Sequence, residues 1–410
     1  LRTSSRLRKT LMPRRTGGFI GHRGLQAPDP PTAVTPTAGN AQVSVAFTAP
    51  SDVGDDAITA FVATTNDGFG ATGSSSPLTI TGLTNGTSYT VRAFAINDYG
   101  TSAPSDASES FSPSAPARAL FFGGYGSTYE NTIDFVEIPT TGNASDFGDL
   151  TVARIGSGST SSSTRGVCMG GFGTSGKDAT IDYVTVASAG NATDFGDLLV
   201  ANEEACGCGS NTRGILAGGS GSSAKTNVIQ YITIANTGNA TDFGDLVNGK
   251  QTPTALSSTT RSCIAGGNGT SNPTDEIDYI TTASTGNATD FGNLSQARSH
   301  PAGTSNNTRG VMGGGQVGGT VNIVTIDYIT IASTGDALDF GDLTNTSDTR
   351  FGGAAADPTR ALLNCGGLNT NSMQYVTIAS TGNGTDFGDL TTQRRQYDNG
   401  ASNGHGGIAA

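Results

Sequence analysis

The segments RGVMGGG (309–315), IDYITIAST (326–334) and DFGDL (339–343) decide the fold of this chain of 410 residues, because close copies of them recur along it. The first Asp of the DFG triplet falls at residues 146, 194, 242, 290, 339 and 386, at intervals of 47 to 49 residues. An Arg followed by apolar residues and a Gly pair falls at residues 118, 165, 213, 261, 309 and 360. A fixed period of this length indicates a repeat architecture with six copies.

Each period holds about four strand-length segments, which are the three quoted and a variable one before the next Arg. Four short antiparallel strands form one blade of a β-propeller. A solenoid coil uses fewer residues per turn, and an immunoglobulin-like array uses about twice as many per domain. The series begins at Arg118 and ends on the variable segment 391–403. The C-terminal strand is therefore predicted to complete the first blade and close the ring.

The composition also favours strands and tight turns over helices. The chain has 60 Gly, only 14% charged residues and no Trp, and it lacks an apolar stripe at helical spacing. The five cysteines are odd in number and irregularly spaced, which indicates reduced, buried residues rather than a disulfide framework. We therefore predict an all-β chain.

Residues 28–114 alternate between strand-like segments and turn signals. QVSVAFTAP and YTVRAFAIND both place side chains on alternate faces, as half-buried strands require. Leu83, Gly86 and Tyr89 resemble the leucine, turn and tyrosine corner of a fibronectin type III domain. The resemblance implies a β-sandwich in which the Tyr89 hydroxyl bonds to upstream backbone. Phe47 stands where that family has a buried Trp.

The six repeats carry a second resemblance. A Gly pair after an apolar strand is similar to kelch-type propeller repeats, and the combination with IDYITIAST and TDFGDL resembles a repeat of tailed-phage structural proteins, especially of marine cyanophages. The predicted organisation is an irregular basic N-terminal arm (1–27), a fibronectin type III-like β-sandwich (28–114) and a six-bladed kelch-like β-propeller (115–410). The resemblance implies a virion component, and hence a location in the virion.

The charge is unevenly distributed. Residues 1–24 hold seven Arg or Lys and no acid, which leaves 15 basic and 34 acidic residues in the rest. An acidic body argues against a nucleic-acid partner, and the chain has no apolar run long enough for membrane insertion. The arm is predicted to dock on other virion proteins, with a disordered tail or a transit peptide as alternatives. The docking residues would be Arg2, Arg6, Arg8, Lys9, Arg14 and Arg15.

The repeated markers are interpreted as structural, not catalytic. The DFG triplet is a false match to the kinase magnesium motif, since it occurs six times without the partner motifs of that site. The Gly, Asn and Asp residues around it favour turns, with calcium binding there as the alternative. Each DFG Phe is expected to pack between blades, and each repeat Arg to pair with a repeat Asp or a carbonyl of the next blade, or else to bind a ligand. We predict no enzyme activity, no cofactor and no metal.

The segments between the Gly pair and the third marker vary most among the six copies, and all six should open on one face of the ring. Loops of this kind carry recognition on a rigid scaffold. The side chains best suited to contact a host-surface glycan or protein are Tyr125, Tyr129, Phe172, Lys177 and Asn272.

Three functions remain open at this point. The chain could be a tail fibre or appendage protein that docks by its arm and displays the propeller for host attachment. It could instead be a capsid or tail decoration or connector protein without a receptor. A bacterial surface adhesin is the third alternative. In a virion we expect the chain to be a homo-oligomer.

Overall fold

The computed structural model describes residues 25–404 except 222–223, 319–320, 345–348, 351, 366–369 and 396–399. These residues form small antiparallel β-sheets and no helix, so the chain is all-β as predicted. It divides after Pro116 into two compact units.

The first unit consists of two antiparallel sheets with a shared core. One sheet has the order β1-β2-β5 and the other β4-β3-β6-β7. Alternate residues of the strands, such as Val43, Val45 and Ala63, are fully buried between the sheets. The strands are β1 (Thr32–Gly39), β2 (Gln42–Thr48), β3 (Ala60–Thr65), β4 (Gly70–Gly73), β5 (Leu78–Thr81), β6 (Val91–Asn97) and β7 (Gly100–Thr101).

Tyr89 makes the backbone bond expected of it. Its hydroxyl accepts a hydrogen bond from the Thr84 N–H at 3.1 Å, and its side chain is only 2% exposed. Phe47 is also buried, and its ring lies 5.0 Å from that of Phe61. The Phe47 and Phe61 rings, together with the buried Tyr89 ring, fill the space between the sheets in the absence of a Trp.

The second unit contains the remaining strands, which we number in chain order. They are β8 (Arg118–Tyr125), β9 (Tyr129–Glu137), β10 (Ser145–Asp149), β11 (Arg154–Ile155), β12 (Gly158–Ser161), β13 (Arg165–Gly173), β14 (Gly176–Thr185), β15 (Thr193–Asp197), β16 (Cys206–Gly209), β17 (Arg213–Ala217), β18 (Val228–Thr233), β19 (Thr241–Asp245), β20 (Thr254–Ser257), β21 (Arg261–Ala265), β22 (Glu276–Thr281), β23 (Thr289–Asn293), β24 (Ala302–Ser305), β25 (Arg309–Gly313), β26 (Gln316–Val317), β27 (Val321–Asn322), β28 (Thr325–Thr330), β29 (Leu338–Asp342), β30 (Gly353–Ala356), β31 (Arg360–Cys365), β32 (Ser372–Thr377), β33 (Thr385–Asp389) and β34 (Gly400–Ser402).

These strands form six larger sheets, each built on four strands, and a separate two-stranded sheet, β26-β27. The strand β11 also pairs with β13 in the second of the larger sheets. The second to sixth sheets are β12-β13-β14-β15, β16-β17-β18-β19, β20-β21-β22-β23, β24-β25-β28-β29 and β30-β31-β32-β33. The first sheet, β34-β8-β9-β10, takes its first strand from the C-terminal end. Ala401 of β34 pairs with Leu120 of β8, which confirms the predicted pairing of the last strand with the first repeat.

The first strand of each sheet, which we call its inner strand, contacts those of two neighbouring sheets. The contacts run in the cyclic order β12, β16, β20, β24, β30, β34 and back to β12. Small residues make this close approach possible, since a Cβ on Gly207 would overlap the backbone of Ser159. The inner strands enclose a narrow cavity of about 40 Å³ lined by Ser, Thr, Gly, Ala and Cys residues.

A repeated set of backbone contacts joins the outer strand of each sheet to the next sheet. The DFG Phe carbonyl accepts the N–H of a Gly in the next repeat, as Phe147 does from Gly190 at 2.7 Å. Two residues beyond that Phe, the backbone N–H of Asp149 donates to the Asn191 side chain at 3.1 Å. The same two bonds join Phe387 to Gly142 and Asp389 to Asn143, so the last repeat bonds to the first.

Each repeat Arg also joins its own sheet to the next. Arg165 donates to the Ile234 carbonyl at 2.7 Å, and its guanidinium lies 4.4 Å from the Tyr183 ring centroid of its own sheet. The prediction that these arginines pair with a carbonyl of the following repeat is confirmed. Equivalent carbonyl and ring contacts are made by Arg118, Arg213, Arg261, Arg309 and Arg360.

The apolar core is divided among clusters that each span two consecutive sheets. Phe195 of the second sheet, for example, is 2% exposed and packs with Ile232 and Ile234 of the third. The expectation that the DFG Phe packs between sheets is confirmed for all six copies, which are Phe147, Phe195, Phe243, Phe291, Phe340 and Phe387. Neither sheet of such a pair could bury this surface alone.

Four of the six sheets contain a buried ion pair that the sequence analysis missed. The carboxylate is the Asp of the IDY-type marker, and the cation precedes the inner strand of the same sheet. Burial of one such charge without the other would be strongly unfavourable. The pairs are Arg154–Asp182 at 3.0 Å, Lys250–Asp278 at 3.1 Å, Arg298–Asp327 at 2.9 Å and Arg394–Asp134 at 3.1 Å.

The other two sheets replace both charges together. Gln230 and Gln374 stand at the Asp position, and the residues at the cation position are Asn202 and Thr349. The Gln side chain keeps the acceptor role of the Asp, since its Oε1 accepts the Leu199 N–H at 2.8 Å. Asn202 donates to the Gly218 carbonyl, and Arg298 donates to the equivalent Gly314 carbonyl. In the third sheet the exchange therefore removes the charges and keeps these two hydrogen bonds.

We predict that Gln230→Asp alone destabilises the chain by about 3 kcal/mol, because it buries a carboxylate without a cation. Adding Asn202→Arg should recover more than half of this loss, since it recreates the pair found in the fifth sheet. Chemical denaturation of the four proteins of the double-mutant cycle measures the coupling. Strictly additive effects of the two substitutions would contradict the charge-compensation argument.

We predict that Arg213→Ala lowers the melting temperature by about 2–6 °C, through loss of the bond to the Thr282 carbonyl and of the contact with the Tyr231 ring. Arg213→Lys keeps the charge but not the planar group, so its melting temperature should lie between those of Arg213→Ala and the unaltered chain. Calorimetry of the full chain measures the change, and an unchanged melting temperature for Arg213→Ala would overturn the structural role.

Candidate functional site

The strand directions separate regular from variable connections. In each of the six larger sheets the repeat Arg begins the second strand, so the Arg contacts and the Asn turns lie at the same end of the strands. The hairpin between the second and third strands lies at the opposite end of the strands, and the fourth strand also finishes there. The variable segments of these hairpins therefore lie at the same end of the sheets as the starts of the inner strands.

The first two hairpins at this end have longer strands than the other hairpins. Their variable segments were expected to be loops, but they extend the strands instead. Tyr125 pairs with Tyr129 at the end of β8 and β9, and Gly173 pairs with Gly176 at the end of β13 and β14. The extension occurs because these segments carry strand-forming aromatic residues next to short turns.

The extended hairpins border a cavity of about 370 Å³, which we call the aromatic pocket. Its volume is within the range of small-molecule sites. Three residues of the predicted ligand site line this pocket, and the other lining residues lie just before the inner strands. The lining residues are Tyr125, Tyr129, Ile155, Gly156, Phe172, Glu203, Glu204 and Arg395.

One wall of the pocket is aromatic. The ring centroids of Tyr125 and Tyr129 lie 5.2 Å apart in an edge-on arrangement, and Phe172 lies 6.0 Å from Tyr129. The Arg395 guanidinium lies 5.7 Å from the Tyr125 ring centroid. Arg395 and Tyr125 also exchange two backbone hydrogen bonds, which fix the first hairpin against the C-terminal segment.

Two carboxylates complete the pocket. Glu203 pairs with Lys177 at 3.5 Å and exchanges backbone bonds with Ser220. Glu204 accepts a hydrogen bond from the Gln251 amide and donates its backbone N–H to the Gly156 carbonyl at 2.7 Å. Burial raises the pKa of Glu204 above its ordinary value of 4.5, and the neighbouring Glu203 raises it further.

Gly156 makes room for the pocket. It has a positive φ of 68°, and the equivalent residues of the next three sheets, Glu204, Thr252 and His300, have φ of 56–57°. Each of these three donates its N–H to the carbonyl of the preceding one in the series. A Cβ on Gly156 would lie 3.3 Å from the backbone N and 3.5 Å from the Cγ of Glu204, so glycine at this position leaves room for the Glu204 side chain at the pocket.

The remaining predicted site residues lie elsewhere. The Lys177 ammonium is held by Glu203 and by Ser220 and Gly221 of the third sheet, so it is a structural contact beside the pocket. Asn272 is exposed in the connection between β21 and β22, outside the aromatic pocket. The docking residues Arg2, Arg6, Arg8, Lys9, Arg14 and Arg15 and the segment His405–Ala410 lie outside the described residues.

We also searched the described residues outside the pocket for metal-binding groups and reactive side chains. In the part of the chain that the structure describes, no three His, Cys, Asp or Glu residues are grouped to hold a metal ion. Burial raises the pKa of Cys208 to about 11 and raises that of Cys263 further, so these thiols are protonated at neutral pH. Burial also lowers the pKa of His300 to about 3, which keeps its ring neutral.

Comparisons with known proteins give no family for this chain. No protein-family model matches it, and no characterised protein matches it in sequence. Within the described residues, no helix combines the length and the hydropathy needed to cross a membrane.

We predict that Glu204→Gln raises the melting temperature at pH 7 by about 1–4 °C. Because the folded pKa of Glu204 is raised, the folded chain binds a proton that the unfolded chain releases above pH 4.5. Folding stability due to this group therefore falls as pH rises through its folded pKa. The gain from Glu204→Gln should vanish below about pH 4, and the matched change Glu203→Gln should give no gain, since it removes the ion pair with Lys177.

Proposed function

We propose that the two units are a fibronectin type III-like sandwich and a six-bladed kelch-like β-propeller. The three-plus-four strand arrangement and the Tyr89 hydrogen bond support the first assignment. The cyclic contacts of the inner strands, and the bonds that link the last repeat to the first, support the second.

We further propose that the chain is a structural protein of a tailed-phage virion, in a fibre or appendage, and that the propeller binds the host surface. The observation that carries the binding role is the aromatic pocket. The contacts between neighbouring inner strands recur at all six boundaries of the second unit. The three half-buried rings of Tyr125, Tyr129 and Phe172, in contrast, lie together beside Gly156 and are not repeated at the equivalent positions of the other described hairpins. Departure from a regular scaffold at one place is typical of a recognition site.

The virion assignment rests on the resemblance of the six repeats to those of phage structural proteins. The basic arm, with Arg2, Arg6 and Arg8 among its charges, would dock the chain on an acidic virion partner. In this arrangement the arm contacts the virion, and the aromatic pocket in the acidic part of the chain remains accessible to the host surface. Symmetric virion sites would then hold several copies of the chain.

Binding to cells tests the attachment role. Fluorescently labelled full-length chain is incubated with a panel of cyanobacterial hosts and with non-host bacteria, and Phe172→Ala is the variant. We expect binding to one or more hosts, competition with phage adsorption, and at least a tenfold loss for Phe172→Ala. Phe69→Ala, which removes a partly exposed ring of the first unit, is the matched control.

Absence of binding to every host would overturn the attachment role. A decoration or connector protein without a receptor would then be the better description. Equal binding of the Phe172→Ala and unaltered chains would instead place host contact at another surface.

A further inference from the structure

We propose that the aromatic pocket binds a neutral sugar, so that the host-surface ligand is a glycan; this inference rests on the proposed function. The cavity of about 370 Å³ has an apolar wall of aromatic rings and a polar wall of two carboxylates and a guanidinium. A sugar ring has the matching chemistry, with C–H groups on its faces and hydroxyl groups around its rim.

The charges at the pocket are balanced before any ligand binds. Glu203 is paired with Lys177 at 3.5 Å, and Glu204 and Arg395 contribute one charge of each sign. A charged ligand would therefore bring an uncompensated charge into a partly buried site, at a cost in free energy. A neutral ligand avoids this cost.

The polar wall contains hydrogen-bond acceptors and donors. The Glu204 carboxylate accepts from Gln251, but a carboxylate has about four acceptor sites, so it can also accept from a ligand hydroxyl. Arg395 carries five N–H donors on a guanidinium next to the Tyr125 ring. A hydroxyl group both donates and accepts, so a polyol matches the carboxylate and the guanidinium of this wall.

The aromatic wall explains why the ligand must also have an apolar face. Phe172 has no polar atom, and its ring lines the cavity together with Tyr129. Aromatic rings contribute binding free energy through apolar contact and give the site a defined orientation. A small polar ligand without C–H surface would leave this wall exposed to water.

The backbone at Gly156 shows that the space is particular to this position. The equivalent positions in the next three sheets have side chains despite the same positive φ. Asn adopts this conformation readily. Gly156→Asn should therefore keep the backbone conformation and place a side chain against Glu204 at the pocket, and Thr252→Asn is the matched control outside the pocket.

Isothermal titration calorimetry with the full chain tests the inference. The probes are methyl glycosides of glucose, galactose, mannose and N-acetylglucosamine, together with lactose and maltose. We expect saturable binding of at least one probe, with at least a tenfold increase in Kd for Phe172→Ala and for Gly156→Asn. Thr252→Asn and Phe69→Ala should leave the Kd unchanged. Calorimetric unfolding of each variant checks that it is folded.

Other outcomes would overturn either the sugar inference or the proposed function, and the two cases can be distinguished. Binding of choline or sialic acid in place of every neutral probe would mean that the pocket takes a charged ligand. No binding of any sugar by a chain that still binds host cells would reject the sugar and leave the proposed function standing. Sugar binding by a chain that binds no cell would support the pocket and reject host attachment.

Discussion

The second unit depends on bonds that each sheet makes to the next one. The repeat Arg is central to them, because one guanidinium lies over a ring of its own sheet and donates to a carbonyl of its neighbour. The DFG Phe adds a backbone bond and a buried ring at the same boundary. Removing a neighbour would expose both, so the sheets are stable only as a set.

Much of this arrangement could be predicted from the sequence. A contact that occurs in six copies leaves a six-fold pattern, and the Arg, Phe and Asn positions were assigned from that pattern alone. Tyr89 was assigned from a short local motif whose hydrogen bond spans only five residues. Periodicity and local motifs are the two signals that a single sequence carries most clearly.

The remaining features depend on which residues are neighbours in space, and the repeat period does not reveal this. Glu203 and Glu204 lie about 80 residues from Tyr125 in sequence, and only the geometry of three adjacent sheets joins them in one pocket. The Arg154–Asp182 pair was missed for a different reason. Its signal is a joint exchange of two positions among the six copies, which is visible only when the Asp-to-Gln changes are compared with the Arg-to-Asn and Arg-to-Thr changes.

The pairing of β34 with β8 also constrains how the chain folds during synthesis. The Arg118 N–H donates to the Asn403 side chain across 285 residues of sequence. At about 5–20 residues per second, the ribosome needs tens of seconds to supply that partner. During this time the first sheet has an unpaired edge strand, which can pair with another nascent chain. The first sheet is therefore complete only after β34 has been synthesised, although its other three strands are the first of the second unit to leave the ribosome.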